Sequence, residues 1–206
     1  MRIHFARHGE STANTLRVFS NHQADHPLTE KGRAQAAALA DHLSGLDFSA
    51  FYSSPIPRAV ETAQIISAII HMPFKIHAGL REFDAGVLEG RSHETAWAEF
   101  SELWNAWFTL GLEDRRVAGG ESLIDIRRRL GEFLDEVSCQ PSCKETDILC
   151  ITHGGLLYAG LPGLVENISY AFVRDNPLVN TACVVINGDG KIWRCEQWAD
   201  TVFKVT

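Results

Sequence analysis

Arg7-His8-Gly9-Glu10-Ser11, Arg58 and His153-Gly154-Gly155 hold the side chains best suited to one chemistry, the capture of a phosphoryl group. A neutral imidazole can attack phosphorus and carry the group covalently. Arginines can each grip it through paired N–H donors. A second histidine, with the arginines, can balance charge on the oxygens in the transition state. The reading adopted is that His8 is the nucleophile and that Arg7, Arg58 and His153 surround the phosphoryl oxygens.

The elements around these residues must bring them together. Ile3 and Phe5 alternate with polar neighbours in a first strand, residues 1–7, and Gly9 permits a sharp turn after it. Residues 8–27 read mostly as loop, with a short helix as an option. Thr29 is a plausible N-cap for an Ala-rich helix that runs through Leu43 and ends at Gly45. Phe48–Ser53 reads as a second strand, Ser54–Arg58 as a turn into a helix reaching about Ile70, and Pro73–His77 as a third strand. Ser122, with Asp125 three residues on, opens a helix with Leu123, Ile126, Leu130, Phe133, Leu134 and Val137 on one face. Asp147–Thr152 is an apolar run suited to a central strand buried on both faces. Thr181–Asn187 and Lys191–Trp198 flank Gly188-Asp189-Gly190 as a hairpin. The expected fold class is α/β: a three-layer αβα sandwich with a mostly parallel central sheet and a C-terminal hairpin. In such a sheet the junctions carrying Arg7-His8, Arg58 and His153 lie along one edge, where ligands bind. Helix N-termini there favour an anion.

Residues 1–206 are expected to form a single domain, with a helical insertion at about 92–120 over the active site. In that segment Trp97, Phe100, Trp104, Trp107 and Phe108 recur at spacings of three and four. Two readings of this stripe stand together: helix packing, and an apolar wall for the organic part of a substrate. The formal net charge of −7, with no basic stripe, argues against nucleic acid and anionic membrane as partners. No stretch reads as a signal peptide or a membrane span. The odd count of five cysteines, without zinc-finger spacing between pairs, reads as reduced thiols in a cytoplasmic protein. His22 and His26 are expected to face solvent, and His71 and His77 have no partner that the sequence names.

The chain resembles the histidine phosphatase superfamily, with its phosphoglycerate mutase-like fold, in order and over nearly its whole length. The resemblance rests on Arg7-His8-Gly9-Glu10-Ser11 with Asn14, Leu28-Thr29-Glu30-Lys31-Gly32 with Gln35-Ala36, and Ser53-Ser54-Pro55 with Arg58, Glu61, Thr62 and Ala63. It extends through Leu80-Arg81-Glu82 with Gly86 and Glu89-Gly90, Gly119-Gly120-Glu121-Ser122, and Thr152-His153-Gly154-Gly155. It implies that His8 is phosphorylated and that Arg7, Arg58 and His153 hold the phosphoryl group. Asn14 and Gly154 would add phosphate contacts. Glu82 would protonate the leaving oxygen and then deprotonate water, with Asp84 its first competitor and Glu89 a support of the loop. No metal and no cofactor are implied. One departure stands out: Ser20-Asn21-His22-Gln23 follows Arg17-Val18-Phe19 where the family usually has a glycine, and a loop bearing Asn21, His22 and Asp25 can alter substrate contacts.

The expected activity is that of a phosphomonoesterase of the phosphatase branch acting on a small phosphorylated metabolite. α-Ribazole phosphate and a phosphorylated sugar are both compatible substrates, as is broad specificity. The alternative is a cofactor-dependent phosphoglycerate mutase, which excludes water and grips a doubly phosphorylated intermediate. Its candidate extra cations are Arg81, Arg91, Arg115 and Arg116, but the longer proline-rich mutase insertion is missing. A non-catalytic phospho-ligand-binding module is disfavoured, because all four core positions and the acid are intact. The oligomeric state is open, a homodimer being compatible.

Overall fold

In a computed structural model, residues 1–21, 26–140 and 147–203 are described. Seven strands form one sheet: β1 (Arg2–Arg7), β2 (Phe48–Ser53), β3 (Lys75–Ile76), β4 (Asp147–Thr152), β5 (Cys183–Gly188), β6 (Trp193–Trp198) and β7 (Thr201–Val202), in spatial order β3-β2-β4-β1-β5-β6-β7. β3, β2, β4 and β1 run parallel, and the other three continue the sheet in antiparallel fashion. The sheet is therefore mixed, a parallel half joined to an antiparallel half at β1. Every residue of β4 is buried, as a strand covered on both faces requires. Burying each of Ile148, Leu149 and Ile151 contributes roughly 1.5–3 kcal/mol.

The helices are α1 (Thr12–Leu16), α2 (Glu30–Leu43), α3 (Pro57–Ile70), α4 (His93–Phe108), α5 (Leu123–Ser138), α6 (Gly154–Gly160) and α7 (Tyr170–Asp175). Thr29 caps α2 by accepting from the Gly32 N–H at 3.0 Å, and Ser122 with Asp125 forms a reciprocal capping box on α5. Pro57 occupies the first turn of α3, where its missing N–H costs nothing. One core cluster packs α5 and α6 against β1, β4 and β5, while Leu39, Leu43, Phe51, Ala63, Ile66 and Ile151 belong to a second. Among the described residues no helix is long and apolar enough to cross a membrane.

Three expectations need correction. The third strand shrinks from five residues to Lys75–Ile76, both exposed at the sheet edge. α7 and β7 do not appear in the sequence reading, because neither is long enough to show a period. His77 is not partnerless. Its Nδ1 accepts from the Gly79 N–H at 3.0 Å, and its Nε2 lies 3.0 Å from Glu136.

Candidate active site

The carboxyl ends of β1, β2 and β4 meet at one edge. Arg7 closes β1, with Arg7 pairing Thr152 in register, and His153 follows β4 directly. Arg58 lies in the first turn of α3, just beyond β2. The turn after β1 is unusually tight. A Cβ on Gly9 would stand 2.4 Å from the Gly32 carbonyl oxygen, and one on Gly32 would stand 2.0 Å from that of Glu10. Only glycine at both positions lets α2 press against the turn that carries His8.

His8 is 2% exposed, and its Nδ1 lies 2.7 Å from the Gly9 carbonyl oxygen. A carbonyl only accepts, so Nδ1 carries the proton and Nε2 presents its lone pair. Arg58 Nε donates to that Nε2 at 2.9 Å, and an Arg58 Nη1–H donates to the Ser20 carbonyl. The His153 ring centroid is 5.1 Å from that of His8. His153 Nε2 is 2.7 Å from Ser54 Oγ, while its Nδ1 is buried without a hydrogen-bond partner among the described residues. Arg7 donates from Nη1 to the Leu178 carbonyl at 2.7 Å, and its Nε is likewise buried and unpartnered. Buried donors left unpaired are costly, so Arg7 Nε is a ready partner for an oxyanion.

Burial is the first cause of every titration shift in the site. It drives His8 and His153 well below the ordinary imidazole value, with Arg58 and Arg7 reinforcing the effect, so both rings are neutral. It lowers Arg7, and it lowers Arg58 to about 10, which leaves both guanidinium groups charged at neutral pH. It raises Glu82, against the opposing pull of Arg58, two backbone N–H groups and Arg7.

Glu82 accepts from the Gly155 N–H and from the Phe83 N–H, each at 3.0 Å. A Cβ on Gly155 would fall 2.6 Å from Glu82 Oε1, so glycine is what admits the carboxyl there. The competing acids are occupied. Asp84 Oδ1 accepts from the Gly86 N–H at 2.8 Å and shapes the following turn, and Glu89 receives the Asn21 N–H. Behind the acid loop, Glu121 accepts from Arg129, Arg81 and the Asp84 N–H.

Arg7, His8, Asn14, Arg58 and Glu82 line a cavity of about 180 Å³, together with Phe19, Ser20, Asn21, Phe83, Phe100 and Gly155. His153 borders His8 without lining it, and Gly154 packs against the Arg7 guanidinium rather than facing the space. Asn14 Oδ1 accepts from the Ser11 N–H, Ser11 Oγ and Asn180 Nδ2, which leaves its own amide N–H donors for the cavity. From the departing loop, the Ser20 carbonyl steadies Arg58 and Ser20 Oγ bonds to His26 Nδ1 at 2.7 Å, so His26 is tied into the site rather than facing solvent. His22, Gln23 and Asp25 lie outside the described residues, as does Cys143.

Four contributors escaped the sequence reading. Thr62 Oγ1 accepts from the Gly9 N–H at 3.1 Å and donates to the Arg58 carbonyl at 2.7 Å. Ser54 holds His153, Asn180 Nδ2 donates to the His8 carbonyl at 3.0 Å, and the Tyr158 hydroxyl receives the N–H of Leu178, whose carbonyl fixes Arg7. Thr62 and Ser54 sit inside quoted motifs, so their hydroxyls could have been assigned. Asn180 and Tyr158 carry no signal in one sequence.

Comparisons with known proteins match nearly the whole chain. The model of the histidine phosphatase superfamily (branch 1) matches residues 3–201. A relative named probable phosphoglycerate mutase GpmB, from Salmonella choleraesuis, is 32% identical over 167 residues, covering 80% of this chain and 76% of the relative. Among solved structures, a mycobacterial glucosyl-3-phosphoglycerate phosphatase in complex with VO3 is 26% identical with TM-score 0.80, covering 97% of this chain and 99% of that one. A putative α-ribazole-5'-P phosphatase from Escherichia coli K-12 is 25% identical with TM-score 0.77, covering 100% and 99% of the two chains.

Proposed function

The chain belongs to the histidine phosphatase superfamily, and from that premise we propose that it is a phosphomonoesterase working through a phosphohistidine. The observation that carries this reading is the pairing of a neutral, Nδ1-protonated His8 with a buried carboxyl of raised pKa in one cavity.

The steps follow from the residues. Arg7, Arg58 and the Asn14 amide take the phosphoryl oxygens, and Arg58 Nε turns from His8 Nε2 to an oxygen as the substrate enters. The lone pair of Nε2 attacks phosphorus while the P–O bond to the alcohol breaks. Glu82 gives its proton to the departing oxygen, so the alcohol leaves neutral. The proton on Nδ1 stays on the ring, donated to the Gly9 carbonyl oxygen, which disperses the positive charge the ring acquires. Glu82, now a carboxylate, takes a proton from a water that attacks phosphorus. The P–N bond breaks, inorganic phosphate is released, and His8 and Glu82 return to their starting states.

The similarity to a protein named as a probable mutase favours a second reading. Against it, the extra cations that a bisphosphorylated intermediate requires are spent elsewhere. Arg81 pairs with Glu121 at 2.7 Å, Arg91 with Glu99 at 3.1 Å and Arg116 with Asp125 at 2.9 Å, and none of these nor Arg115 lines the cavity. The test is a stopped incubation with 3-phosphoglycerate, with and without 2,3-bisphosphoglycerate, beside p-nitrophenyl phosphate. Phosphate release without isomerisation is the expected result. Primer-dependent formation of 2-phosphoglycerate with little free phosphate would overturn it.

A further inference from the structure

A second, larger cavity of about 490 Å³ adjoins the first, with Phe83, Phe100 and Gly155 in both linings. It lies beside Glu82, the side on which a departing alcohol must sit. Its lining is dominated by rings: Phe83, Trp97, Phe100, Trp104, Tyr158 and Tyr170. All but Tyr158 form a connected set, with Phe83 stacked on Phe100 at 5.9 Å and 16°, Trp97 and Phe100 at 5.9 Å, Phe100 and Trp104 at 5.1 Å, and Trp104 meeting Tyr170 at 6.2 Å. Ser101, Asn105 and Thr109, at intervals of four along α4 and its C-cap, add a polar stripe. Among the described residues the only Lys or Arg side chain in this lining is Arg174, which is paired with Asp175 at 2.8 Å.

Resting on the phosphatase reading, we propose that this second cavity is the subsite for the alcohol of the substrate, and that the substrate class is a monophosphate ester whose alcohol carries a flat, apolar ring system with one or two polar substituents. Flat apolar groups gain both area burial and ring–ring contact against such walls. A volume of this size accommodates the body of a small organic ligand. Among the described residues of this lining a second phosphate finds no unpaired cation, so bisphosphorylated sugar acids are disfavoured by the same walls. Phe83 follows Glu82 in sequence and lines both cavities, so a ring resting on it brings its ester oxygen to the acid. The exposed indole of Trp97, 56% accessible, stands at the mouth and gains most from a bound ring.

The test uses two alkyl esters with similar leaving groups, ethyl phosphate and 2-(1-naphthyl)ethyl phosphate. Their binding to the His8→Ala variant is measured by calorimetry, where turnover does not interfere, and their hydrolysis by the wild type is measured as phosphate release. The naphthyl ester is expected to bind at least roughly tenfold tighter, and Trp97→Ala and Trp104→Ala, made in the same His8→Ala background, to shrink that ratio. Equal binding of the two esters, or a ratio that neither tryptophan substitution moves, would overturn the subsite. Preferential binding by His8→Ala without hydrolysis by the wild type would uphold the subsite and sink the phosphatase reading instead.

Discussion

The chemistry of single residues sets the first expectations. His8 is held below its ordinary value of 6.5, so Nε2 keeps its lone pair well into acid, whereas Glu82 is held above its ordinary 4.5, so it keeps its proton to higher pH. Activity therefore rises as His8 loses a proton at low pH and falls as Glu82 loses one at higher pH. The kcat/KM profile should be bell-shaped, its acid limb belonging to His8 and its alkaline limb to Glu82. Glu82→Gln removes the alkaline limb that belongs to the carboxyl, leaving the titration of the substrate phosphate near pH ~6. The same variant should lower kcat/KM, which reports only the steps up to phosphohistidine formation, by about 10²–10⁴-fold for alkyl esters and far less for p-nitrophenyl phosphate, whose leaving group needs no proton. A defect of equal size for both ester types would remove Glu82 from the acid role. Arg7, His8, Arg58, Glu82 and Asn14 were all legible in the sequence because each sits in a dense local motif. Asn180 was not, because an asparagine in a turn between elements has many structural uses and nothing nearby singles one out.

At the scale of elements, the site depends on how α3 is pinned to the turn after β1. Thr62 lies one helical turn beyond Arg58 and ties both Gly9 and the Arg58 carbonyl. Thr62→Ala leaves the buried Gly9 N–H without its acceptor, a cost of about 1–3 kcal/mol. It should lower stability by that amount in chemical denaturation and lower kcat beyond it. Thr62→Ser, which keeps the hydroxyl, should recover most of both, and a serine variant as impaired as the alanine one would point to packing of the methyl group instead. Long elements with caps were legible: α2 from Thr29, α5 from Ser122 and Asp125, β4 from its apolar run. The aromatic face of α4 was legible only as an ambiguity. Helical spacing places Trp97, Phe100, Trp104 and Trp107 near one another, but spacing cannot say which neighbour covers each. In the fold Trp107 is buried in the core, while Phe100 and Trp104 form walls of the second cavity.

At the scale of the molecule, a chain of net charge −7 gathers a buried arginine, a half-buried one and two neutral histidines around one carboxyl. A tetrahedral dianion satisfies the buried donors that the fold leaves unpaired, so inorganic phosphate should bind the native state and stabilise it. At a hundredfold its Kd the gain is about 2.7 kcal/mol. For a chain of this size that corresponds to a rise in Tm of roughly 5–10 °C. Sodium chloride at the same ionic strength should give little of it, and an equal rise with chloride would mean general screening rather than a site. The order of strands was predictable only in part. The parallel half follows from alternating strands and helices, whereas joining the hairpin to β1 is a choice made by tertiary packing that no local pattern records. That choice reaches into how the protein is made. The His8 carbonyl is held from Asn180, His153 from Ser54 and Glu82 from Gly155, partners separated by 172, 99 and 73 positions. Such distant pairings form late, because the loops between them must be ordered first. On the ribosome His8 emerges 172 positions ahead of Asn180, so its full support waits for the segment that carries that asparagine. Until β5 pairs with β1 and brings Asn180 to the His8 carbonyl, the turn that carries the nucleophile lacks one of its anchors.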